Sequence, residues 1–251
     1  MIKTKITEMF EIDHPIVQGG MHYVGFAEMA AAVSNAGGLG IITGLTQASP
    51  KDLANEIARC KDMTNKPIGV NLTFLPGFAN PDYPGYIESI VKGGVKIVET
   101  AGRSPEKFMP LLKDAGIKVI HKCTSVRHAL KAEKIGCDAA SVDGFECGGH
   151  PGEDDIPNMI LLPRAFEELK IPFIASGGMG NGQQLVKTVS LKQSRHWYDR
   201  LVDLLPSRKN TLFWGSAVIV TQLKGVTGQA SSCSVRDIAL TSSGGIPSDT
   251  R

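Results

Sequence analysis

A chain of 251 residues with a net charge of only +2 is long enough for one α/β domain with a sizeable core, and it offers no electrostatic reason to bind nucleic acid or an acidic membrane surface. No stretch approaches the ~20 consecutive apolar residues of a membrane span, and Met1 to Gly20 carries acidic residues with no continuous apolar segment, so neither an anchor nor a secretory signal is expected. The five cysteines contain no C-x-x-C pair, which excludes a zinc ribbon or a disulfide framework and fits a reduced, cytoplasmic protein with buried thiols.

Taken in order, short apolar runs alternate with helical patterns. Pro15 to Gln18 reads as a first strand that ends in Gly19-Gly20-Met21. Small residues at helical spacing over Ala27 to Ala36 predict a helix stopped by Gly37-Gly38, and Leu39 to Thr43 a second strand. Ser49-Pro50 supplies a cap and a first-turn proline for a helix over Pro50 to Cys60. Pro67 to Leu72 is then a third strand with Asn71 near its end. Thr73 to Tyr86 breaks the rhythm with three prolines and aromatic bulk, and reads as an irregular lid or binding loop. The alternation resumes with a strand over Val95 to Thr100, a helix over Ser104 to Ala115, a strand over Lys118 to Lys122 and a helix over Ser125 to Ile135. Ala139 to Asp143, a helix in Leu162 to Leu169, and Pro172 to Ser176 complete seven strands.

Strands alternating with helices, without a reversing section, predict a parallel sheet covered by helices. An open sheet gathers its ligand at one switch point. Here nearly every strand ends in functional-looking residues: Gly20-Met21, Thr43, Asn71, Thr100, Lys122, Asp143 and Gly177-Gly178. A ring of such tips facing one mouth is what a closed (β/α)8 barrel of the TIM type produces.

The chemistry of that mouth centres on Ser141-Val-Asp-Gly-Phe-Glu-Cys-Gly-Gly-His150-Pro-Gly-Glu-Asp-Asp155. Paired glycines admit close backbone approach to a planar or anionic ligand, and His150 titrates in the range needed to move a proton. The plainer alternative is a turn with a solvated histidine. Gly177-Gly178, ahead of a helix from Gln183, offers amides suited to a phosphate. Lys122 places a positive charge on a phosphate or an electron-rich ring, or simply caps a strand. Asn71 has the donor and acceptor that a heterocycle edge requires. Together these point to a phosphate-bearing cofactor with a flat hydrogen-bonding ring, for which FMN fits. Glu146, Glu153, Asp154 and Asp155 read as a solvated rim rather than a metal site.

Pro15-Ile-Val-Gln-Gly-Gly-Met21, Ala36-Gly-Gly-Leu39, Gly69-Val-Asn-Leu72, His121-Lys-Cys123, the glycine-histidine stretch and Ala175-Ser-Gly-Gly178 together resemble the nitronate monooxygenase (2-nitropropane dioxygenase) family, which includes FMN-dependent NADH:quinone reductases. The resemblance spans residues 2–186 and implies a barrel that holds FMN non-covalently. Gly20, Met21, His22, Asn71, Thr73 and Lys122 would meet the flavin, and Gly148, Gly149, Ser176, Gly177 and Gly178 would hold its phosphate side. His150 matches the family's catalytic histidine. The implied reaction oxidises alkyl nitronates with O2 to carbonyl compounds and nitrite. In the reductase branch NADH supplies hydride and a quinone removes the electrons. A barrel without flavin, of isomerase or aldolase type, and an inactive family member retained for binding are the rival classes.

Beyond Val186 the likeness stops. Lys187 to Asp199 lacks the small-residue helix and phosphate loop of the family, Leu212 to Val220 reads as an apolar strand with unmatched flanks, and the end is rich in Ser and Gly. Residues 187–251 are therefore expected to form a divergent segment, from a shifted frame, an alternative exon or a genuine replacement, that leaves the barrel incomplete or altered after its seventh strand.

Overall fold

Apolar inward positions at a period of two, in strands separated by helices, wind this chain into a ring. The computed structural model describes residues 3–74, 81–149, 154–180 and 183–184, and residues 217–220 as backbone. The strands are β1 (Ile16–Gln18), β2 (Gly40–Thr43), β3 (Ile68–Phe74), β4 (Ile97–Gly102), β5 (Lys118–Cys123), β6 (Ala139–Asp143), β7 (Phe173–Ser176) and β8 (Ala217–Val220). The helices are α1 (Lys5–Phe10), α2 (Ala27–Asn35), α3 (Pro50–Met63), α4 (Tyr83–Lys92), α5 (Met109–Asp114), α6 (Val126–Lys134) and α7 (Asn158–Glu168). Strands β2 to β7 pair in sequence order and in parallel. Strand β8 lies between β7 and β1, and a parallel bridge between Val17 and Leu39 joins β1 to β2. The Gln18 amide donates to the Leu39 carbonyl at 2.9 Å and the Leu39 amide to that of Ile16 at 2.8 Å, which closes the ring.

The expected alteration after the seventh strand is present as a reversal: β8 runs antiparallel to both neighbours, against the expectation of a wholly parallel sheet. Two open edges face each other across the gap between β7 and β1, and a strand of either direction can satisfy their amides and carbonyls. The Ser- and Gly-rich end and Lys187 to Asp199 lie outside the described residues.

Two apolar layers divide the alternating side chains. Val17, Leu39, Ile41, Ile97, Ile120, Ala139 and Ile174 fill the ring. Ile42, Val70, Leu72, Val98, Val119, Ala140, Val142 and Phe173 point outward under the helices. Helix α1, which the sequence pattern did not disclose, plugs the end of the ring where the strands begin. It brings Ile6 and Phe10 against the inner cluster, at 0% and 2% exposure. Burial of each such side chain contributes ~1.5–3 kcal/mol. A reciprocal capping box between Thr4 and Thr7 starts this short helix.

The segment read as an irregular lid is shorter than expected. Thr73 and Phe74 complete β3, and α4 begins at Tyr83, with Pro84 in its first turn and the Asp82 carboxylate accepting from the Gly85 amide at 3.1 Å. Proline costs nothing there, because a first-turn amide has no partner within the helix. Tyr83 packs on Phe74 and Phe108 and donates to the Thr73 carbonyl at 3.0 Å; Tyr86 donates to the Gln47 carbonyl at 2.7 Å. These aromatics belong to the helix layer, while residues 75–80 lie outside the described set.

Candidate active site

In four consecutive strands the inward position two residues beyond an apolar one becomes polar. Ile97 is followed by Glu99, Ile120 by Lys122, Ala139 by Ser141 and then Asp143, and Ile174 by Ser176. Period-two alternation keeps each pair on one face, so the apolar floor carries a polar ring on the side where the strands end. Register sets the levels: Asn71 pairs with Glu99, Lys122 with Ser141 and Asp143 with Ser176.

Glu99 stands at the centre of this ring, 1% exposed. Its Oε2 accepts from the Gly20 amide at 2.8 Å and from Asn71 Nδ2 at 2.7 Å, while Thr73 Oγ1 donates to Asn71 Oδ1 at 3.0 Å. Its Oε1 is buried, has no hydrogen-bond partner among the described residues, and lies 3.9 Å from Lys122 Nζ. On the far side Lys122 Nζ is 3.8 Å from Asp143 Oδ2, and Ser141 donates to Asp143 Oδ1 at 2.8 Å. Burial raises the Glu99 carboxyl above the usual range against the pull of Lys122, the Gly20 amide and Asn71. For Lys122 burial acts downward, but Glu99 and Asp143 outweigh it and hold the ammonium above its ordinary value. The mouth thus presents one firmly charged cation between two carboxyl groups.

A second assembly holds the tip of β7. The Asn158 side chain donates to the Ser176 carbonyl at 2.5 Å and to that of Gly177 at 3.0 Å, and its backbone amide donates to Glu146 Oε1 at 3.0 Å. Glu146 thus caps the first turn of α7. Gly177 and Gly178 have φ of 97° and 76°, and a Cβ on Gly177 would come within 2.6 Å of the Cys147 backbone nitrogen. Glycine is required at this point both by conformation and by the packing of the loop after β6.

The structure brings Gly20, Asn71, Thr73 and Lys122 together through Glu99, and sets Ser176, Gly177 and Gly178 at the neighbouring tip. Met21 is half-buried and its amide donates to Thr43 Oγ1 at 2.8 Å. His22 is exposed on the rim, its ring 3.2 Å from Thr46 Oγ1. Gly149 has φ of 98° with open space where a Cβ would be, and Gly148 precedes it. His150 lies outside the described residues, as does the helix expected from Gln183 beyond Gln184. Sequence reasoning missed Glu99, although a lone carboxylate within Ile97-Val98-Glu99-Thr100 was a readable signal: an acidic residue on a buried strand needs a partner. His121, by contrast, faces outward: Thr100 Oγ1 is 2.8 Å from its Nδ1, and burial lowers its pKa to about 4.

The donor set fits a flavin. Gly20 lets the loop after β1 pack directly on Asn71, where a Cβ would sit 2.3 Å from Asn71 Cγ, and an amide, a hydroxyl and an ammonium stand together at this point of the mouth. The positive-φ turn at Gly177-Gly178 stands at the neighbouring strand tip, where backbone amides are free of a Cβ.

Comparison with known proteins bears on the family and the fold. The chain is 33% identical over 189 residues to (3aS,4S,5R,7aS)-5-hydroxy-7a-methyl-1-oxo-octahydro-1H-indene-4-carboxyl-CoA dehydrogenase of Rhodococcus jostii, covering 75% of this chain and 52% of that protein. It thus spans about half the length of this curated relative. Among solved structures, FabK from Thermotoga maritima superposes with a TM-score of 0.69 at 35% identity, covering 76% of this chain and 59% of FabK. A nitroalkane oxidase from Streptomyces ansochromogenes superposes with a TM-score of 0.64 at 25% identity, covering 74% and 64%. The profile of the nitronate monooxygenase family matches residues 3–191, which takes in every described strand tip from Gly20 to Gly178; the chain belongs to the nitronate monooxygenase family.

Proposed function

We propose that the protein is an FMN-dependent oxidoreductase of the nitronate monooxygenase type, oxidising alkyl nitronates with O2 to carbonyl compounds and nitrite. The observation that carries this reading is the polar ring at the mouth, in which Asn71, Thr73 and the Lys122 ammonium converge over an apolar floor beside a glycine turn. Bound FMN would supply the electron transfer that no side chain offers. Gly20, Met21, His22, Asn71, Thr73 and Lys122 would face its ring, and Gly148, Gly149, Ser176, Gly177 and Gly178 its phosphate side. The Lys122 ammonium would stabilise negative charge on a flavin ring held beside it. His150 would take the α-proton of a nitroalkane, or as a cation hold the nitronate.

A second reading on the same seat has NADH as hydride donor and a quinone as electron acceptor; a relative at 33% identity is named a dehydrogenase rather than an oxygenase. Purified full-length protein should be yellow or become so with added FMN; a sample that stays colourless and leaves FMN fluorescence unquenched refutes both. Anaerobic bleaching by a nitronate and not by NADH supports the first reading, and rapid bleaching by NADH the second. The His150→Asn variant should stay yellow and lose turnover, and full activity in it would remove His150 from the reaction.

A further inference from the structure

Glu99 is costly to keep. A buried carboxyl with one oxygen lacking a hydrogen bond forfeits solvation, and removing it alone would leave the Gly20 amide, the Asn71 amide and the Lys122 ammonium without this partner. Its partners indicate what it does instead. One oxygen receives donors from two separate parts of the chain, the loop after β1 through Gly20 and strand β3 through Asn71; the other lies nearest Lys122 on β5. All three partners are groups that the flavin reading assigns to the cofactor ring. Turning Asn71 Nδ2 toward Glu99 and Oδ1 toward Thr73 also fixes which way round that amide is presented.

We propose that Glu99 is a positioning residue for the ligand's ring: its carboxyl joins the loop after β1, the Asn71 amide and the Lys122 ammonium, and holds them in the arrangement that receives the flavin. This rests on the flavin reading for the identity of the ligand, but not for the internal fastening. Groups held through a buried hydrogen-bonded partner lose their placement when it is shortened or removed, and displacement of about 1 Å is enough to cost an order of magnitude or more in a preorganised site.

The test compares full-length wild type with Glu99→Gln, Glu99→Asp and Glu99→Leu, using FMN and riboflavin as probes and flavin fluorescence as the readout, together with hydrogen exchange at the Gly20 amide without flavin. Glutamine keeps an acceptor at the same reach and should retain Gly20 protection and bind both flavins within about threefold of wild type. Aspartate, one methylene short, and leucine should exchange Gly20 about tenfold faster and weaken FMN and riboflavin about equally, because the fastening serves the ring and not the phosphate. Should Glu99→Leu fail to fold, Glu99→Asp decides. Wild-type affinity and protection in Glu99→Asp overturn the proposal, as does a loss confined to FMN. If wild type binds neither flavin, the flavin reading falls, and Gly20 exchange alone decides: faster exchange in Glu99→Asp but not in Glu99→Gln upholds the fastening, and unchanged exchange refutes it.

Discussion

Gly20→Ala probes the tightest point of the mouth. The glycine is not in a left-handed conformation, so alanine meets no backbone strain, and the loss of chain freedom in the unfolded state would by itself favour alanine by ~0.4–1 kcal/mol. Space is the obstacle. The new Cβ would lie 2.3 Å from Asn71 Cγ and 2.6 Å from its Cβ and Nδ2. Carbon atoms prefer about 3.5–4.0 Å, so Asn71 must swing away and surrender its bond to Glu99. Overpacking costs ~1–3 kcal/mol and a hydrogen bond to an ionisable partner ~1.5–3 kcal/mol. Offset by the chain-freedom term, the net loss is about 3 kcal/mol, a fall in Tm of roughly 6–12 °C for a chain of this size. The assay is urea unfolding of a double-mutant cycle with Asn71→Gly, which removes the obstructing Cβ as well as the amide. In that background only the chain-freedom term is left, so Gly20→Ala should be neutral or stabilising by up to ~1 kcal/mol. Additive losses would refute the contact as the cause, and an unperturbed single variant would refute the packing altogether.

Further outcomes follow from the same geometry. His121, with its pKa lowered to about 4 from 6.5, is neutral in the folded state, so between these values the unfolded chain binds more protons. Its contribution, up to about 3 kcal/mol, is complete above pH 6.5 and lost as pH falls toward 4. The difference between wild type and His121→Gln in urea unfolding from pH 7.5 to 4.5 should show that slope, and parallel profiles would refute it. Asn158→Ala strips the Ser176 and Gly177 carbonyls of their donor and should cost roughly 2–4 kcal/mol in unfolding. With the flavin seat as proposed, it weakens FMN more than riboflavin, the reverse of the equal loss expected at Glu99; unchanged stability would show that these carbonyls find other donors.

Much of this architecture is legible in the linear chain because its causes are local. Ser49-Pro50 and Ser125 start α3 and α6 through caps made within one turn, and Ala139 to Asp143 is a strand with the expected limits. The step from Ile97 to Glu99, Ile120 to Lys122 and Ile174 to Ser176 is written at a spacing of two, so the floor and the polar ring were both present in the text. Helix α1 was not legible, since six residues give too few periods to stand out, and its apolar side chains are meaningful only against the open end of a ring that did not yet exist.

The sequence alone determined that strands and helices alternate, that their tips carry glycine, amide and ammonium groups, and that the family is that of the nitronate monooxygenases. Only the tertiary structure decided that β8 enters the ring reversed, and that Glu99 rather than any glycine joins Gly20, Asn71 and Lys122. The physical reason is range: caps and alternation act over a few residues, whereas the edge bonds of β8 and the partners of a buried carboxyl come from chain segments that only ring closure brings within reach.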